Sequence, residues 1–123
     1  MKNWMSKLFC VFAEKPTNSV RQVSMDEAVR LMAQEQDYVI LDVRRREEYA
    51  AKHIPGAINV PNERIRKDEI PALPDKNQLI FVHCQSGHRS KEASKKLAKL
   101  GYTNIVNCGG ILDWKGETVS GDD

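Results

Sequence analysis

Two apolar runs, Tyr38-Val39-Ile40-Leu41 and Leu79-Ile80-Phe81-Val82, stand out from a chain in which hydrophobic and polar positions otherwise interleave. A continuous run of strand length marks a strand buried on both faces, as in a parallel sheet covered by helices. Asn104-Ile105-Val106 reads as a third strand. Upstream, Ser24-Met25-Asp26-Glu27 has the S-x-x-E form of a capping box, and Ala28, Leu31 and Met32 follow at helical spacing, which predicts a helix over 25–35. Between the last two strands, Ala93, Leu97 and Leu100 share one face while Lys91, Lys95, Lys96 and Lys99 lie elsewhere. This predicts a helix over 89–100, closed by Gly101. Shorter helices are predicted over 47–52 and 111–115, and Pro55, Pro61, Pro71 and Pro74 confine 55–75 mostly to turns and edge segments. There is no internal repeat and no low-complexity tract. The pattern predicts an α/β fold, a small open and mainly parallel sheet flanked by helices. Such sheets bind ligands at the carboxyl ends of their strands.

Composition narrows the classes. At 123 residues the chain fits one domain, and 41% hydrophobic with 29% charged residues is ordinary for a folded globular domain. No stretch approaches the roughly 18 uninterrupted apolar residues of a membrane-spanning helix. Lys and Arg exceed Asp and Glu by 19 to 17, but residues 1–15 carry three against one, leaving 16 against 16 over 16–123. That balance provides no general basic field for nucleic acid. Three cysteines, Cys10, Cys84 and Cys108, show no close pairing, so a reduced, cytoplasmic setting fits better than a disulfide scaffold. Residues 1–15 read as an amphipathic leader, 16–119 as the domain and 120–123 as a short tail. In the leader, Trp4, Leu8, Phe9, Val11 and Phe12 line one side of a short helix that Pro16 stops. Its uncharged run, Leu8 to Ala13, falls short of the about 7 to 15 residues of a secretory core. Docking on the domain, contact with a partner or a lipid surface, and export remain three readings of it.

The candidate chemistry lies at one place. The apolar strand runs into His83-Cys84 and then Gln85-Ser86-Gly87-His88-Arg89-Ser90, after which the helix begins. Cys84 therefore stands between the carboxyl end of a strand and the amino end of a helix. The unpaired N–H groups there carry about half a positive charge between them and form a cradle for an anion or a thiolate. Gly87 admits backbone angles other residues resist, and His88, Arg89 and Lys91 add positive charge. An inert buried thiol is the plain alternative, but it requires no polar, glycine-containing loop after it. A metal site would have to gather Cys84, His88, His53 and Cys108, which offer only C-x-x-x-H as a close pair.

These residues carry a resemblance. Cys84-Gln-Ser-Gly-His-Arg-Ser90 resembles the active-site loop C-x-x-G-x-R-S of single-domain rhodaneses, sulfurtransferases that hold sulfane sulfur as a cysteine persulfide. Asp42-Val43-Arg44 with Glu47 and Tyr49, then His53-Ile54-Pro55-Gly56-Ala57-Ile58-Asn59, is similar to the family's D-x-R-x-x-x-E-[FY] and H-I-P-G-A-x-[NH] motifs. Gly109-Gly110 followed by Trp114 resembles its closing segment, so the likeness spans roughly 22–116. Related Cys-based phosphatases place five residues between Cys and Arg. Cys84 and Arg89 have four between them, and the smaller loop implied by the resemblance suits one extra sulfur. The resemblance implies a three-layer α/β/α fold and transfer of sulfur from a small anionic donor such as thiosulfate, through Cys84, to cyanide or a protein thiol. It requires no cofactor or metal. Gln85, Ser86, Gly87, His88 and Arg89 would bind the donor. Asp42, Arg44, Glu47 and His53 are read mainly as holding loops together, with Arg44 and Glu47 pairing at a helix start, Cys108 as packing and Trp114 as a core or lid residue. A binding or sulfur-relay module acting through a protein partner is the rival reading.

Overall fold

The computed structural model describes residues 20–66 and 70–121; the leader and the last two residues lie outside them. Five parallel strands form one sheet: β1 (Val20–Gln22), β2 (Tyr38–Asp42), β3 (Ile58–Asn59), β4 (Leu79–Cys84) and β5 (Ile105–Gly110), in the order β1-β5-β4-β2-β3. Three helices, α1 (Met25–Ala33), α2 (Arg46–Ala51) and α3 (His88–Lys99), cover it, with 3-10 turns at Asn62–Arg64 and Ile111–Asp113. This is the expected open α/β sheet.

The two apolar runs become the central strands because each faces a core on both sides. Leu41, Ile80, Val82 and Cys84 point to one cluster, with Ala93 and Leu97 of α3. Ile40, Phe81, Val106 and Cys108 point to the other, with Met25, Ala28 and Met32 of α1 and Tyr49 of α2. The period-two alternation thus runs inside continuous hydrophobic stretches, as burial on both faces requires. The α1 helix starts as predicted, Ser24 Oγ accepting the Glu27 N–H at 3.0 Å. It ends two residues early. The segment over 111–115 closes as one 3-10 turn rather than a helix.

The strand order reverses between β2 and β4: β2 leads outward to β3 on one side, β4 to β5 on the other. The helices after these strands, α2 and α3, therefore fall on opposite faces, and the two carboxyl ends meet at the point of reversal. That is where open α/β sheets place ligands. Asp42 ends β2 and Cys84 ends β4.

Candidate active site

Cys84 is delivered to that point of reversal by the central strand, and the chain must turn at once into α3. Gly87 makes the turn with φ 110°, a left-handed conformation that glycine adopts without a side-chain clash. The turn aims the Gly87 N–H at Cys84 Sγ, 3.1 Å away. Within the first turn of α3, the Ser90 N–H donates to the same sulfur at 3.2 Å. A first-turn amide without a helical acceptor thus finds one in the sulfur. Cys84 is 1% exposed, whereas Ser86 and His88 are exposed on the outside of the loop.

β5 supports the loop from below. Opposite Cys84 the pairing shifts, so that His83 faces both Cys108 and Gly109, a bulge of the kind that clusters near active sites. Beyond the bulge Gly110 lies under the loop. A Cβ there would stand 2.2 Å from the Gln85 carbonyl oxygen and 2.6 Å from Ser86 Cα, so the glycine is required by the close approach. The Ser90 hydroxyl lies within reach of the Gly87 and Gly109 carbonyls, at 3.1 and 3.3 Å, and joins the loop to the bulge.

Asp42 and Arg44 form a buried ion pair beside it. Arg44 Nη2 lies 2.8 Å from Asp42 Oδ2, and Arg44 Nε and the Arg44 N–H both donate to Asp42 Oδ1, at 3.0 and 2.9 Å. The same guanidinium reaches the Lys52 carbonyl at 2.6 Å and Gln85 Oε1 at 3.5 Å. It therefore holds the end of α2 and the first loop residue to the end of β2. The expected Arg44–Glu47 pairing is corrected here: Asp42 sits two residues from Arg44 in the same turn and takes its charge, while Glu47 is exposed. The motif leaves three residues between its Arg and its Glu, a spacing that Glu48 satisfies, and Glu48 is the one that reaches the site.

Arg89, at the start of α3, makes two parallel hydrogen bonds to Glu48, at 2.8 and 3.1 Å, across the end of the sheet. Glu48 also accepts the Arg45 N–H at 2.9 Å. These hydrogen bonds hold its carboxyl at about 2, and the same pair raises Arg89 above its ordinary value. The positive charge expected to face a bound anion is thus shared with a carboxylate.

The remaining polar groups are structural in geometry. His83 is fully buried with Nδ1 3.0 Å from the Cys84 carbonyl, and burial lowers its pKa. His53 stacks on Tyr49 with centroids 3.8 Å apart, places Nδ1 2.8 Å from the Tyr49 carbonyl, and pairs through its backbone with Val119. Cys108 Sγ lies 3.4 Å from the Val82 carbonyl, and burial pushes its thiol up to about 12. Trp114 packs half-buried on the α1 side of the sheet. Among the described residues no three His, Cys, Asp or Glu side chains gather to hold a metal.

The sequence motifs include Ser90 and Gly110 without giving either a role, and take Glu47 where Glu48 belongs. Ser90 acts through its amide and Gly110 through lacking a side chain, which residue type alone does not signal. Glu48 was legible in the motif's own spacing.

The comparisons agree with this geometry. The Rhodanese-like domain family matches residues 24–117. The thiosulfate sulfurtransferase PspE of Escherichia coli (strain K12) is 40% identical over 73 residues, covering 59% of this chain and 70% of that protein. The putative sulfur carrier protein YrkF of Bacillus subtilis (strain 168) is 32% identical over 104 residues, 82% of this chain but only 54% of its own length. A solved rhodanese with anions from E. coli superimposes with a TM-score of 0.63 at 39% identity, covering 68% of this chain and 99% of that one. A family match over three quarters of the chain, on a fold that brings its separated motifs to one end of the sheet, makes this chain a member of the rhodanese-like sulfurtransferase family.

Proposed function

We propose that the protein takes sulfane sulfur from thiosulfate, or a similar small anionic donor, onto Cys84 and passes it to a thiophilic acceptor. The observation that carries the reading is the pair of backbone N–H groups, from Gly87 and Ser90, aimed at Cys84 Sγ at the amino end of α3. Donors so placed stabilise a sulfur anion without needing a titrating side chain. The Cys84 thiolate attacks the outer sulfur of thiosulfate, the sulfur–sulfur bond breaks, and sulfite leaves with its electron pair. A thiolate or cyanide then attacks the terminal sulfur of the persulfide and releases the Cys84 thiolate. Two displacements replace one difficult transfer. Gln85 to Arg89 wrap the incoming anion. The share of Arg89's charge taken by Glu48 makes backbone amides the principal anion donors. Cys84 and Cys108 are free thiols, which suits a reducing setting such as the cytoplasm.

A second reading has its own support: similarity to a putative sulfur carrier favours a relay, in which the persulfide is handed to a partner protein. Thiocyanate formation from thiosulfate and cyanide distinguishes the two. Rapid turnover by wild type, absent in Cys84→Ser, supports the enzyme. Loading of sulfur with slow transfer to cyanide and fast transfer to a protein thiol supports the relay.

A further inference from the structure

Beyond β3, the edge of the sheet holds a feature that the sulfur chemistry leaves unused. A cleft of about 340 Å³ opens between α2 and the turn after β3, lined by Arg46, Tyr49, Ile58, Asn59, Pro61 and Arg64 among others. Both arginines are exposed. The Val60 N–H donates inward to the Asp42 carbonyl, so strand alternation turns the N–H and C=O of Asn59 away from β2, to the side on which no strand pairs among the described residues. The Asn59 side chain is held by the Asp42 and Arg44 carbonyls. The cleft thus combines an edge-strand backbone, an apolar wall and two guanidinium groups.

Leaving aside Arg44, which is paired with Asp42, residues 45–66 carry five Lys and Arg against three Asp and Glu, a basic surplus on the segment that walls the cleft. Register fixes the distance: Asn59 pairs with Asp42, and Asp42 with His83, so the cleft's strand lies two strand spacings, roughly 10 Å, from the strand that presents Cys84. An extended chain covers that in about three residues.

We propose that this cleft docks an acidic, extended segment of a thiol-bearing acceptor protein, with a carboxylate about three to four residues from the accepting cysteine. The proposal rests on the sulfurtransferase reading and names the acceptor class. In the step it serves, the acceptor thiolate attacks the terminal sulfur of the Cys84 persulfide. That sulfur–sulfur bond breaks, Cys84 departs as thiolate, and the acceptor holds the persulfide with no outside oxidant or reductant.

The test uses the full chain, loaded with thiosulfate and mixed with synthetic cysteine peptides that carry either Glu or Gln three and four residues from the thiol. At low salt the Glu peptide is expected to accept sulfur roughly five- to tenfold faster, an advantage lost in Arg46→Glu/Arg64→Glu and at high salt. Transfer to cyanide stays unchanged in that variant. Equal rates for the two peptides, or a preference that survives the double substitution, overturn the proposal. Arg64→Gln, a milder change at an exposed position, provides the same comparison if the double variant fails to fold. If thiosulfate loads no sulfur, the sulfurtransferase reading falls by itself. Docking is then read from the fluorescence anisotropy of labelled peptides with Ser in place of Cys. Tighter binding of the Glu form, abolished by the substitutions, supports the cleft, and equal binding overturns it.

Discussion

Cys84 Sγ accepts hydrogen bonds from residues three and six positions on, so Gly87 and Ser90 act on it through the backbone. Side-chain substitutions near it therefore divide by what they leave standing. Asp42→Asn removes the charge that balances a guanidinium only 4% exposed, and leaving one partner of a buried pair costs about 3–5 kcal/mol. Urea denaturation is expected to show that loss, and activity falls with it because Arg44 also reaches Gln85. A variant as stable as wild type would show that the pair carries little. Cys108 is the contrasting case. Its thiol lies against the Val82 carbonyl and burial pushes it up to about 12, so it is not ionised near neutral pH. Cys108→Ala is expected to keep transfer to cyanide within about twofold while losing about 1 kcal/mol of stability to the cavity. A folded Cys108→Ala protein without turnover would make Cys108 part of the mechanism.

The loop is held by two neighbouring elements, and each contact has its own test. From β5, Gly110 leaves no room for a Cβ beside the Gln85 carbonyl. Gly110→Ala is expected to displace the loop and cost at least about tenfold in kcat/KM, with the circular dichroism spectrum retained; full activity would show that the loop yields freely. From α2, Glu48 clamps Arg89. Its carboxyl lies at about 2 when folded against an ordinary 4.5, so the clamp contributes fully above about 4.5 and is lost as the pH falls toward 2. Glu48→Gln is expected to lower stability at pH 7 by about 1 kcal/mol or less, since the pair is partly solvated. The gap between the two proteins should close on acidification from 4.5 to 2. A gap that stays constant across that range would place the effect of Glu48 outside its charge.

At the scale of the whole molecule, the sequence made the central strands and α1 and α3 legible because their burial leaves strong periodic patterns. It hid β1 and β3, which are edge strands of three and two residues with too few buried positions to signal themselves. The site was legible at Cys84, where strand, glycine turn and helix start are consecutive. It was not legible where distant segments meet: the bulge under the loop and the Arg89–Glu48 bridge across the sheet end both depend on strand order. That order puts the ends of β2 and β4 at the point of reversal, where the Gly87 and Ser90 N–H groups reach the Cys84 sulfur. The most direct measurement of this account is the intact mass of the protein after thiosulfate treatment, with peptide mapping of the modified residue. Wild type is predicted to gain one sulfur atom, on Cys84, and Cys84→Ser none. Sulfur on Cys10 or Cys108 with Cys84 unmodified, or an equal gain by Cys84→Ser, would contradict it.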